Sequence, residues 1–200
     1  MIDRVRVEVN DLGSSLVSDS DFLKWVNEAQ EEIVSKARCL ETSETVSLST
    51  GAYSITTTTA HFDIEAVIWD NGDSSDKFRY RYLAKVDPVN VYNLPQKTGN
   101  PEYWYEWSSK LYVWPVPSSS ENNTSLIVLE VTKPTALTAV GDSIQTPYYF
   151  DPAILFYLKA KYCETDMKES RAAYYRQMFE QELARYRMEI RRNLAQPAAK

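Results

Sequence analysis

The sequence predicts an α+β fold: a helical bundle formed by the N- and C-terminal segments with an inserted antiparallel β-rich region. Two observations carry this. Apolar residues recur at helical spacing near both ends of the 200-residue chain, while the middle alternates with period two and is rich in β-branched and aromatic residues. The resulting divisions are residues 1–41 (N-terminal helices), 42–133 (β-rich insertion), 134–192 (C-terminal helices) and 193–200 (an extended tail).

The elements follow in order. Ile2, Val5, Val9 and Leu12 mark a first helix, broken at Gly13-Ser14-Ser15. Ser18-Asp19-Ser20-Asp21 offers capping oxygens and early negative charge to a second helix. Its apolar stripe is Phe22, Val26, Ala29, Ile33, Ala37 and Leu40, and the opposite face (Lys24, Glu28, Glu31, Glu32, Ser35) is expected to be wet. From Glu41 the pattern becomes strands and turns resembling a meander. Val46-Ser47-Leu48 and Tyr53 to Thr56 flank a Thr-Gly corner, and Ile64 to Trp69 ends at Asp70-Asn71-Gly72, with Phe78, Tyr80 and Tyr82 alternating beyond. Asp87-Pro88 caps a short helix through Leu94, and Gly99-Asn100-Pro101 turns the chain. Tyr103 to Trp107 and Leu111 to Trp114 form a hairpin across Ser108-Ser109-Lys110, ended by Pro115 and Pro117, and Leu126 to Val131 is a further strand. After a loop from Lys133 to Phe150, Asp151-Pro152 starts a helix that is apolar nearly all round to Cys163. The last helix carries Ala172, Tyr175, Phe179, Leu183, Tyr186 and Ile190, and the residues from Asn193 onward have no periodicity.

Composition narrows the function classes. No apolar run approaches the roughly 20 residues of a membrane span, and Met1-Ile2-Asp3-Arg4 does not open a signal segment, so a protein made in the cytoplasm with no membrane partner is expected. Cys39 and Cys163 stand alone in sequence and read as reduced thiols. A net charge of −6 argues against general nucleic-acid affinity, because that affinity comes from cations displacing counterions. The charge is uneven: seven basic and four acidic residues from Lys168 to Arg192 give this stretch +3, which suggests a polar docking surface or a solvated helix face.

Motifs of catalysis are not evident, and no enzyme, cofactor or metal is expected. The single histidine, His61, has no nucleophile elbow to serve and reads as structural. Asp70 to Asp76 has oxygen ligands enough for calcium, but hairpin turns use the same residues for geometry. Five glycines leave no phosphate-cradling loop or dinucleotide fingerprint. Glu102 and Glu106, flanking Trp104, are the one carboxylate pair worth testing for glycoside chemistry, and solvent-facing charge is the simpler reading.

What remains is an aromatic excess. Fourteen tyrosines and five tryptophans exceed what one small core uses, and Tyr103, Trp104, Tyr105, Trp107, Tyr112 and Trp114 crowd one hairpin. One face can be core; the other needs cover, whether from a protein partner, a stacked sugar or the rest of its own domain.

The order of elements, with Gly99-Asn100-Pro101-x-Tyr103-Trp104, Leu111-Tyr112-Val113-Trp114-Pro115-Val116-Pro117, Thr132-Lys133-Pro134 and Asp151-Pro152-Ala153-Ile154-Leu155, resembles the head-to-tail connector adaptors of tailed bacteriophages across nearly the whole chain. The resemblance implies a structural virion protein at the head-tail junction: a homo-oligomeric ring, about twelve copies closed by rotation, below the portal protein and above tail or stopper proteins. Such a ring forms part of the channel through which DNA leaves, and an acidic balance suits DNA that slides without specific binding. It further implies that the final helix and tail, with Arg185, Arg187, Arg191, Arg192, Pro197 and Lys200, dock on the portal. Tyr103, Trp104, Trp107, Tyr112 and Trp114 would then meet neighbouring subunits or the tail. The alternatives are a carbohydrate- or receptor-binding module stacking on Trp104, Trp107 and Trp114, and a tail terminator or gatekeeper.

Overall fold

A computed structural model of the chain describes residues 1–11, 13, 16–52, 54–57, 60–92, 97–119 and 124–195, without the side chains of 92 and 187–195. It is a mixed α+β protein of two compact units, one joining residues 1–40 to 133–200 and the other comprising 41–132.

In the first unit α1 (Ile2–Val9) stops at Asn10, whose left-handed backbone (φ 62°) is one that asparagine tolerates. Arg6 then fixes the turn that follows. Its buried guanidinium donates to the Asp11 carboxylate (3.2 Å), the Val17 carbonyl (3.0 Å) and the Asp19 carboxylate (2.6 Å), and lies over the Phe22 ring. α2 (Asp19–Ala37) begins with a capping box in which the Ser18 hydroxyl accepts from the Asp21 N–H and the Asp21 carboxylate accepts from the Ser18 N–H. The helix ends at Arg38 (φ 54°), so Leu40, expected on its stripe, lies beyond it.

α4 (Asp151–Thr165) follows a 3₁₀ turn at Tyr148–Phe150 and buries side chains around most of its circumference, among them Ile154, Leu155, Leu158 and Cys163. It packs on α1, α2 and α5 (Glu169–Ala195), and α2 also meets α5. Phe22, Val26, Ile33, Leu158, Phe179 and Leu183 belong to the shared core. Ionic contacts join the same pairs: Lys159 with Glu8, Lys161 with Glu28 (2.9 Å), and Lys36 with Glu180 (2.6 Å). Glu28 and Glu32, expected on a wet face, are instead half-buried because cations of α4 and α5 face them. The long connection to α4 has no regular structure, yet α2 holds it. Asn27 accepts from the Leu137 N–H (2.8 Å) and donates to its carbonyl (3.0 Å), and Gln30 accepts from the Gln145 N–H (2.8 Å). α5 continues through Ala195, past the Arg192 where periodicity places the start of the tail, since no breaker occurs before Pro197.

Among the described residues the second unit has two four-stranded sheets. The first has the order β1 (Glu41–Ser47), β8 (Ser125–Thr132), β3 (His61–Asp70), β4 (Tyr80–Tyr82), antiparallel throughout. The second has the order β2 (Ser54–Ile55), β7 (Lys110–Trp114), β6 (Tyr103–Trp107), β5 (Ala84–Lys85). Here β5 and β6 run parallel, a departure from the expected all-antiparallel insertion. Nor is it a meander. β8, the last strand in sequence, lies between β1 and β3 and is hydrogen-bonded along both edges. β1 and β2 do not pair across the Thr-Gly corner: Leu48 N–H donates to Thr124 and Gly51 (φ 75°) N–H to Pro117, which carries the chain from one sheet to the other. One core (Ile64, Val67, Trp69, Trp104, Leu111, Val128) draws from both sheets.

The expected hairpin joins β6 to β7 through Ser108 and Ser109, both at positive φ (52° and 59°), the geometry of a two-residue turn that follows strand twist. α3 (Pro88–Tyr92) is capped by Asp87, whose carboxylate accepts from the Val89 N–H (2.8 Å); Leu94 lies outside the described residues.

Candidate interaction surface

Strand parity sorts the aromatic hairpin. Residues opposite one another in an antiparallel pair share a face, so the pairs Tyr103–Trp114, Tyr105–Tyr112 and Trp107–Lys110 put five rings on one side of the second sheet. Tyr105 and Tyr112 stack with centroids 4.8 Å apart and planes 7° from parallel, and Tyr103 meets Trp114 at 5.7 Å. Four of the five are half-buried, and Trp107 is 62% exposed. Trp104 points the other way with Leu111 and Val113 and is 1% exposed, so its ring belongs to the core and not to the outer platform.

A second aromatic cluster is one that sequence reasoning misses as a surface. Phe78, Tyr80 and Tyr82 are 72%, 56% and 74% exposed on and beside β4, the edge of the first sheet. The available signal is their own alternation, which places all three on one side of the strand. The loop leading to them is held by its acids. Asp70 accepts from the Gly72 N–H (2.9 Å) and from Arg79 at two positions (2.7 and 2.9 Å), Asp73 from the Ser75 N–H and hydroxyl, and Asp76 from Asn71 and the Phe78 N–H. The Arg79 guanidinium holds the Asp70 carboxyl below the ordinary aspartate range.

His61 lies between two carboxylates, its Nε2 3.3 Å from Glu106 and its Nδ1 3.3 Å from Glu130. Glu130 is 1% exposed within the apolar strand β8, and its alternation with Leu126 and Val128 is the available sign that it faces inward. Glu106 is thereby engaged with His61, whereas Glu102 pairs with Lys97 at 3.9 Å, so the two carboxylates have different partners. Among the described residues no cluster of three or more His, Cys, Asp or Glu is placed to hold a metal ion. Cys39 and Cys163 form no disulfide, and burial pushes the Cys163 thiol up.

Part of the basic surplus in the final helix is used locally. Lys168 pairs with Asp166, Arg176 with Glu32 and Glu164, and Arg185 with Glu182 (2.8 Å) while donating to the Tyr186 hydroxyl (2.7 Å). Of the residues expected to meet a portal, Arg185 is described and half-exposed; the side chains of Arg187, Arg191 and Arg192, and all of Pro197 and Lys200, lie outside the described residues. No described helix is long and apolar enough to cross a membrane.

No curated protein matches the sequence. The model of a protein family described as SU10 adaptor protein matches residues 1–200, and the chain belongs to this family of phage head-tail adaptors.

Proposed function

We propose that the protein is a structural, non-catalytic component of the virion that forms a homo-oligomeric ring at the head-tail junction, between the portal and the tail or stopper proteins. The observation that carries this is the family match along the whole chain. In this reading the chain ends form the helical bundle of each subunit, and the ring lines part of the DNA exit channel with an acidic, weakly gripping surface. The C-terminal part of α5 and residues 196–200 dock on the portal through Arg185, Arg187, Arg191, Arg192, Pro197 and Lys200, a set whose charge favours an acidic partner face.

The outer face of the second sheet supplies lateral or tail contacts. Tyr103, Trp107, Tyr112 and Trp114 are large, stiff side chains of the kind that dominate buried interfaces. Trp104 acts from behind them as core.

Native mass spectrometry of the full chain mixed with a portal ring tests the assignment. A stoichiometric ring on the portal is expected; persistent monomer with no portal binding removes it. Quenching of tryptophan fluorescence by oligosaccharides, in the absence of any ring, would instead assign the aromatic face to sugar stacking. Removal of residues 193–200 is expected to weaken portal attachment while leaving the melting temperature unchanged.

A further inference from the structure

The first sheet of the β unit ends in two unlike edges. β1 carries Glu41 and Glu44, and β4 carries Arg81 with Tyr80 and Tyr82, and each has a strand neighbour on one side only among the described residues. Successive strands alternate in direction, so β1 and β4 run opposite ways. A second copy placed beside the first without being turned over therefore brings its β1 antiparallel to β4, and the alternation continues across the boundary.

Parity extends the match to the side chains. Arg81 pairs with Trp69, Trp69 with Leu126, and Leu126 with Val46, so Arg81 shares a face with Val46 and Glu44. Tyr80 and Tyr82 share the opposite face with Ser43 and Thr45. Setting Arg81 opposite the neighbour's Glu44 puts Tyr82 opposite Ser43 and Tyr80 opposite Thr45, pairing Arg81 with an opposite charge and each ring of β4 with a small side chain. The symmetric alternative, β4 against β4 or β1 against β1 about a two-fold axis, brings like charges together, and like charges directly opposite are destabilising.

We propose that β4 of one copy adds to β1 of the next, with Arg81 facing Glu44, so that the first sheet runs continuously from subunit to subunit. The pairing is head to tail, the class of contact that closes into a ring where its rotation closes and that does not form a two-fold dimer. It rests on the ring reading above and specifies its lateral contact.

Charge exchange tests it with the full-length protein, alone and on the portal, by native mass spectrometry. Arg81→Glu and Glu44→Arg are each expected to lower the ring fraction at matched concentration by at least about tenfold, because the loss recurs at every subunit boundary. Mixing the two variants in equal amounts is expected to restore rings. Where subunits alternate, one boundary then joins the two substituted side chains as an opposite-charge pair of reversed sign, and the next joins the two unsubstituted ones. Hydrogen exchange gives a readout free of substitution: amides of 42–46 and 79–83 should slow in the wild-type ring relative to the monomer. Wild-type rings that neither variant perturbs, or whose edge amides exchange as in the monomer, overturn the contact and leave the ring standing. Two-fold dimers through β4 overturn it also. Absence of any ring from the wild-type protein, with or without the portal, removes both.

Discussion

The two units dispose of their aromatic residues differently. In the helical unit most rings pack against other rings of the same unit: Tyr157 meets Phe179 edge-on at 5.3 Å, and Phe150 meets Tyr186 at 5.1 Å, all four being buried. In the β unit Trp69 and Trp104 are buried, while Phe78, Tyr80, Tyr82 and Trp107 are more than half exposed. The helical unit does have exposed rings at Tyr148 and Tyr174, but no sheet face or edge organises them. Ring count alone therefore says little about interfaces; strand parity decides which rings a partner can reach.

The sharpest way to break this comparison is to remove a buried ring from each unit. Phe179→Ala and Trp104→Ala should each cost about 3–5 kcal/mol of stability, the range for deleting a large core aromatic, measured by chemical denaturation followed by circular dichroism. A loss below about 1 kcal/mol at Trp104 would mean that its face is not core. Arg6→Ala should cost about 3 kcal/mol or more, because it leaves the Asp11 carboxylate, 1% exposed, without its guanidinium. Its effect belongs to the helical unit and should leave ring assembly intact wherever the fold survives.

Acid separates the units more gently. Lys159 and then Arg4 hold Glu8 below the ordinary glutamate value of 4.5. For Glu28 burial pushes upward, but Lys161 and the Tyr157 hydroxyl together bring it below that value. Asp70 is lowered chiefly by Arg79. A depressed carboxylate contributes stability that is full above its unfolded pKa and is lost as pH falls through its folded one. Melting temperatures should thus fall below about pH 4.5, with each glutamate pair contributing about 0.5 kcal/mol at neutral pH after solvent screening. Glu8→Gln and Glu28→Gln should flatten the acid limb of the helical unit, and Asp70→Asn that of the β unit. An unchanged limb in all three variants would assign the acid sensitivity to other groups.

Much of the helical unit was legible in the sequence because its signals are local. Ser18 and Asp21 declare the start of α2, Asp151-Pro152 that of α4, and the apolar spacing from Ala172 to Tyr186 the buried face of α5. The same holds for the β6–β7 hairpin, whose turn is two residues long. What the sequence hid is non-local. Nothing in Glu41–Ser47 states that its neighbour is Ser125–Thr132, far along the chain, or that the chain changes sheets at Leu83 between β4 and β5. Likewise Arg6 gives no sign that it joins Asp11 and Asp19, and Glu28 and Glu32 look solvated until α4 and α5 bring cations to them. The aromatic platform was visible as composition, whereas the exclusion of Trp104 from it follows from register.

A gain is expected between the helices α4 and α5. Met167 takes a left-handed backbone (φ 53°) with its side chain 90% exposed. Met167→Gly removes the Cβ penalty and loses almost no packing, so it should raise stability by about 0.5–1 kcal/mol, read as a higher denaturation midpoint at unchanged slope. A lower midpoint would show that the methionine side chain contributes more to the folded chain than the left-handed backbone costs it.

The smallest stability effect is the most informative about the β unit. Trp107 closes the outer face of the second sheet beside the Ser108-Ser109 turn, and its ring is 62% in solvent. Trp107→Ala should therefore shift the stability of the isolated chain by no more than about 0.5 kcal/mol, the usual range for surface positions. Its neighbour Trp104, on the opposite face, should cost several times more. If the outer rings meet a partner, the same substitution should weaken assembly in sedimentation or native mass spectrometry while the monomer melts unchanged, since exposed aromatics contribute to binding what they withhold from folding. Equal losses of stability at Trp104 and Trp107 would make both faces of the sheet interior to the unit, and the contrast between a closed helical unit and an open β unit would fail.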